Sequence, residues 1–279
     1  MKKQVNIVKC PSCGSDMGEN YCSNCGERKL DSSLRSVKHI AGDIFEDLFS
    51  FDSKLWRTVK VLLVSPGRYE YNYHLGIRKK YMKPVGLFFI VNILFVLFSP
   101  LNDFYVSLND QLNLQPYSAN LKEFFIQYLH NNNLNYQEVA LKYDQMVKVL
   151  SRSLIILQVP IFMFFVSIIC YRKDRYASDH FIFSLNTHTW LLAWVVILSI
   201  VFQTLGYLLE FIGVYNMFDA IFFQALHIGF IVYALLAVKR MYQFTWLRAI
   251  TSVLLLMAAF AISHVTYRFL QFVITLLSL

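Results

Sequence analysis

Glycine is scarce in this 279-residue chain, at ten residues, which leaves little for the glycine-rich loops that cradle phosphate groups. No Walker loop, no G-x-S-x-G elbow and no H-E-x-x-H occurs, so the common nucleotide-binding, serine-hydrolase and zinc-protease signatures are missing. Charged residues are also few, at 16% against about 25% for an ordinary soluble domain. The first 30 residues contain no apolar h-region, so no signal peptide is expected. Proline totals six. Pro100 and Pro160 fall in apolar runs, which membrane helices tolerate where neighbours re-satisfy the freed carbonyl.

What the chain has instead is apolar sequence in long runs. Hydrophobic residues make up 56% and the mean hydropathy is +0.44. Five spans can be drawn: Val85–Leu101, Ser153–Tyr171, Thr189–Leu209, Ala220–Val238, and one from Ala249 toward the C-terminus. The expected fold is therefore an all-α integral membrane helical bundle of about five transmembrane helices, with a small zinc ribbon at its N-terminus. Its expected domains are the ribbon at 1–30, a cytosolic juxtamembrane helical segment at 31–83, and a transmembrane domain at 84–279. Within the juxtamembrane segment, Leu34–Phe49 and Ser53–Val64 read as amphipathic helices. Within the transmembrane domain, 102–152 reads as a helical hairpin outside the cytoplasm, its first helix capped by Ser118.

Orientation follows from Lys and Arg. Fifteen precede the first span, three lie in "RKDR" (Arg172–Arg175) and three lie between the last two spans. That places 21 on the inner side, against four in the loop after span one. The asymmetry predicts an inside N-terminus and an outside C-terminus. It also accounts for the formal net charge of +8, so nucleic acid is not expected as a partner.

The strongest local motif is "CPSCGSDMGENYCSNC". Cys10, Cys13, Cys22 and Cys25 follow C-x2-C-x8-C-x2-C, and two such knuckles supply the sulfur cage that zinc prefers. Gly14 and Gly26 stand where each knuckle's turn favours positive φ. Two disulfides are the rival reading, but they need an oxidising compartment, and the charge count puts this end in the cytoplasm. A redox dithiol lacks its βαβ surroundings. Four protein ligands leave no open position, so the expected zinc is structural. Cys170 reads as a small buried hydrophobe.

The second motif is "SPGRYEYNYHLGIRKKYMKP", with Pro66, Gly67, Tyr73, Gly76, Arg78, Tyr81 and Pro84 at its fixed points. It resembles the bacterial family catalogued as domain of unknown function three-six-six-seven, over roughly Leu48 to Leu94. The resemblance implies a zinc ribbon followed by this segment and several membrane spans, in a bacterial inner membrane, and implies no activity. Read physically, Arg78, Lys79, Lys80 and Lys83 gather at the inner boundary, where each is worth about 1 kcal/mol against anionic headgroups. Tyr69, Tyr71, Tyr73 and Tyr81 are expected to form an aromatic belt. The cluster either anchors the first span or docks a lipid phosphate or partner, with Arg78 the best phosphate fork.

His227 and His264 fall within apolar runs at similar expected depth, and intramembrane ionisable groups are functional candidates. The preferred reading is that a neighbouring Ser, Thr or Tyr hydroxyl satisfies each ring. His188 is expected to open the third span. The leading functional expectation is a non-enzymatic membrane protein whose cytosolic ribbon recruits or senses an unidentified protein partner. The alternative is a small-solute or lipid transporter working through the intramembrane histidines. A membrane enzyme acting on lipid lacks a convincing nucleophile.

Overall fold

The computed structural model describes residues 9–18, 20–29, 53–98, 105–210 and 218–279, without the side chains of 53, 152–153, 206–210 and 218–219. The amphipathic stretch expected at Leu34–Phe49 lies outside the described residues. Among the described residues the secondary structure is helical, and the N-terminal clip adds isolated antiparallel bridges only. The helices are α1 (Ser53–Val64), α2 (Arg68–His74), α3 (Pro84–Phe98), α4 (Leu108–Asn113), α5 (Ser118–Asn131), α6 (Tyr136–Leu154), α7 (Gln158–Ile169), α8 (Ala177–Glu210), α9 (Phe218–Tyr242) and α10 (Trp246–Leu277). The chain divides into two compact units. The first comprises Met1–Ser99 with Val166–Leu255, and the second Pro100–Phe165 with Leu256–Leu279.

In the first unit α8 packs along α3 and α9, and the short α2 fits against both α8 and α9. Local sequence sets the bounds of α2. Gly67 enters it at φ 75, a left-handed conformation that costs glycine little. Gly76, at φ 88, closes it. The Gly76 N–H donates to Tyr73 O at 3.1 Å and the Ile77 N–H to Asn72 O at 2.9 Å, the double bond pattern that satisfies a helix's last carbonyls. Gly67 also permits a close approach: a Cβ there would lie 2.5 Å from the carbonyl oxygen of Ala237 on α9.

In the second unit, α5 and α6 form a hairpin over a core that includes Phe125, Tyr143, Val147 and Phe272. Asn135 caps α6 by accepting the Gln137 N–H at 2.8 Å. Ser118 is the first residue of α5 rather than its cap; Tyr117 holds that position and makes no side-chain capping bond.

Among the described residues, three helices are long and apolar enough to cross a membrane, at Ala177–Leu205, Ala220–Tyr242 and Trp246–Leu277, or up to four if a bent pair counts as one. The expected set of five is thereby reduced. Helix α3 has 15 residues, about 22 Å at 1.5 Å per residue, short of a core about 30 Å thick. The second expected span is divided, because α6 and α7 bend by 66° about a 3-10 turn at Ile155–Leu157. Pro160, one turn into α7, has no N–H to carry the helical ladder back across this break. Helix α8 begins at Ala177, well before the Thr189 expected from hydropathy. Asp179, His180, Asn186 and His188 are buried in its first half, so a window average takes for a loop what is packed helix. His188 thus sits inside α8 and does not open it.

Candidate metal centre

Each knuckle of the clip is closed by the same two backbone bonds. The Gly14 N–H donates to Cys10 O and the Cys10 N–H to Ser15 O, both at 2.8 Å; the Gly26 N–H donates to Cys22 O and the Cys22 N–H to Glu27 O, also at 2.8 Å. Gly14 and Gly26 take φ of 77 and 69, as the turn demands. The Lys9–Asp16 and Tyr21–Arg28 bridges each close one knuckle at its base, and the Met17–Cys22 bridge joins the two. All five cysteines are free thiols.

These turns aim four sulfurs at one point. The Sγ atoms of Cys10, Cys13, Cys22 and Cys25 all lie within 4.8 Å of one another, with Cys10–Cys25 at 3.6 Å and Cys13–Cys22 at 3.5 Å. A tetrahedron of 2.3 Å metal–sulfur bonds has edges of about 3.8 Å. The group could therefore hold a metal ion, and an all-thiolate set suits a soft or borderline one. The four thiols are electrostatically unequal. The backbone and side chain of Ser15 hold the Cys13 thiol down to about 6. The Glu27 N–H pulls the Cys25 thiol down as well, but desolvation and the three neighbouring thiols outweigh it and push Cys25 up to about 12. So many sulfurs cannot all ionise in one place unless a cation joins them.

The clip is seated on the second motif. Glu27, 3% exposed, points its carboxylate at the turn between α2 and α3. It accepts the Arg78 N–H at 3.2 Å and the Lys79 N–H at 3.0 Å. Gly26 lies so close that a Cβ there would meet Lys79 Nζ at 2.8 Å. The Arg78 guanidinium rests over the Tyr73 ring, 4.5 Å from its centre, while Lys79 and Lys80 are exposed and Lys83 is half-buried. The aromatic belt needs correction. Tyr69 and Tyr73 are buried in the core, and the Tyr69 hydroxyl donates to Met82 O. Tyr81 is half-buried and accepts the Asn72 amide at 2.7 Å. Pro66, Gly67, Gly76 and Pro84 are buried turn and helix-start positions, so this motif is largely a packing device.

Sequence reasoning missed a polar network behind it. His74 Nδ1 lies 2.8 Å from Asp179 Oδ2, and His74 Nε2 lies 2.8 Å from Arg175 Nη1. A guanidinium only donates, so Nε2 accepts and Nδ1 carries the proton toward Asp179. Arg175 also donates to Met241 O at 2.9 Å, and the Arg240 Nη1 donates to Pro66 O at 2.8 Å. His180 pairs with the Tyr242 hydroxyl at 2.9 Å. No local spacing announces these partners, because they lie tens of residues apart in the chain.

The intramembrane histidines are placed in different units. His227, in the first, is exposed on α9 and its Nδ1 bonds the Phe223 carbonyl oxygen at 2.6 Å. His264, in the second, is half-buried beside the Tyr267 ring, 6.1 Å between centres. Cys170 is fully buried.

No curated protein and no solved structure matches the chain. A family model does, described as Protein of unknown function (DUF3667), over residues 52–96. Those residues are α1 to α3 with the turns between them, the surface on which the clip is seated, and over this segment the chain is similar to that family.

Proposed function

We propose that the chain is a bacterial inner-membrane protein without catalytic activity of its own, whose clip holds a structural zinc ion on the cytosolic side and recruits or senses a protein partner. The Glu27 carboxylate carries this reading. By accepting two adjacent backbone N–H groups it makes the clip part of the family segment, so a partner meets the clip and the basic turn as one surface. Zinc is the favoured ion because four cysteine sulfurs in two knuckles match its tetrahedral preference, and thiolates survive in a reducing compartment. The excess of Lys and Arg before α8 and at the turn joining α9 to α10, with none between α8 and α9, supports the cytosolic side. Exposed Lys79 and Lys80 add attraction to anionic headgroups, about 1 kcal/mol each near the surface.

The test is a paired pull-down from detergent extracts with metal analysis of the same material. Wild type should carry one zinc per chain and retain a partner set that Cys10→Ser/Cys13→Ser loses together with the metal. Identical partner sets would remove the clip from the mechanism, and metal-free wild type would remove the zinc.

A further inference from the structure

Glu70 lies in the first turn of α2 and is 1% exposed. Its burial follows from Gly67, which lets the start of α2 press onto the Ala237 backbone of α9. The Glu70 Oε1 accepts the Tyr233 hydroxyl at 3.5 Å, and Oε2 makes no hydrogen bond among the described residues. Asn186 of α8 is fully buried, close enough to the carboxyl to favour its charged form, yet neither its amide oxygen nor its amide nitrogen is in bonding geometry with a described partner. Trp190, one turn along α8 from Asn186, stacks on the Tyr233 ring with centres 4.2 Å apart and fixes the phenol in place.

Three elements thus bring polar groups to one interior point and leave hydrogen-bonding capacity unused. Buried polar atoms are nearly always paired. A carboxylate with a single long bond is the least favourable state of such a group, because ionised oxygens only accept and lose their water on burial. A protonated carboxyl has an O–H to offer, and Asn186 Oδ1 is an acceptor. We propose that Glu70, Asn186 and Tyr233 form a proton-binding site in the interior of the first unit. The proton is exchanged with water, and no other bond is made or broken.

Burial raises the Glu70 carboxyl to about 7, although its own backbone N–H, Asn186, Tyr233 and the positive charge of Arg240 each pull the other way. The ionisable groups that face it from α9 are Tyr233 and Arg240, with Tyr242 feeling its charge; α8 faces it with the neutral Asn186. Arg240 also donates to Pro66 O, at the turn that opens α2. Emptying the site therefore places an anion between α2 and α9, within the field of the guanidinium that holds their turn. The sign is that of a raised acid. The stabilising contribution is fully present below the ordinary carboxyl range and is lost as the pH rises through about 7, because the unfolded chain gives up this proton more readily.

Infrared spectroscopy of the purified protein in lipid vesicles, from about pH 5 to pH 9, tests the site over the range where a raised carboxyl titrates. Wild type should show a protonated-carboxyl stretch that disappears with a midpoint near neutrality, and Glu70→Gln should lack it throughout. Gln is the neutral isostere of the loaded state, so this variant should hold its fold and lose the wild type's fall in thermal midpoint as the pH rises from the ordinary carboxyl range to about 7. Asn186→Ala should move the infrared midpoint. Labelling wild type with carbon-13 glutamate should shift the band, which assigns it to a glutamate, and its loss in Glu70→Gln assigns it to Glu70. Identical spectra for wild type and Glu70→Gln, a band insensitive to the label, or an unmoved midpoint in Asn186→Ala would each overturn the proposal.

Discussion

The four-thiol clip and the hairpin of α5 and α6 are both small, and different forces hold them. The clip buries Cys10, Met17 and Cys22 with Cys25 against them, too little apolar surface to offset the entropy of ordering its chain. The hairpin buries Phe125, Tyr143, Val147 and their neighbours, closed by Phe272 and Leu276 of α10. Its two helices carry apolar stripes and one asparagine cap, which suffice without a ligand. A region with no core depends on its ligand, and a region with a core depends on side-chain volume. Each can therefore be disrupted without disturbing the other.

Removing the metal gives the largest expected effect. Structural zinc in small modules contributes on the order of 10–16 kcal/mol of apparent binding energy, which is folding energy for the module. Chelation should bring the Gly14 and Gly26 amides to unprotected hydrogen-exchange rates while Val147 keeps its protection. A clip still protected after complete chelation would erase the contrast. Phe125→Ala should do the reverse. Phe125 is 1% exposed, and truncating such a phenylalanine costs about 3–5 kcal/mol. Exchange should accelerate along α5 and α6 with metal content unchanged. Glu27→Gln gives the smallest effect and sharpens the comparison at the clip's edge. Hydrogen bonds to a charged group are worth about 1.5–3 kcal/mol, so the Arg78 and Lys79 amides should exchange roughly tenfold to a hundredfold faster while the metal stays bound. Metal loss in this variant would mean that the seat, and not only the sulfurs, maintains the clip.

What could be read from the sequence was whatever is fixed within a few residues. The metal ligands are legible because C-x2-C is a local turn, and the bounds of α1 are legible because Pro66 and Gly67 stop it. The start of α8 was misjudged where polarity and burial part company. Asp179, His180 and Asn186 look like loop residues to a hydropathy window, yet α8 buries them. Tyr69 and Tyr73 read as an interfacial belt from their residue type alone, and only the fold of α2 onto its neighbours turns them inward. The His74–Asp179 pair, 105 residues apart, has no signature in either stretch. Glu70 was passed over for the same reason, as one acid in a tyrosine-rich run.

Gly67 has a wider bearing than its own turn. With the Ala237 backbone 2.5 Å from where a first side-chain carbon would sit, the two backbone segments mesh there like a key in a slot. Sliding α9 along its axis by even one residue would bring a different backbone atom into that slot, so the register of the two helices is latched at a single point. Any methyl group placed at residue 67 would pry the latch open and let the pair slip.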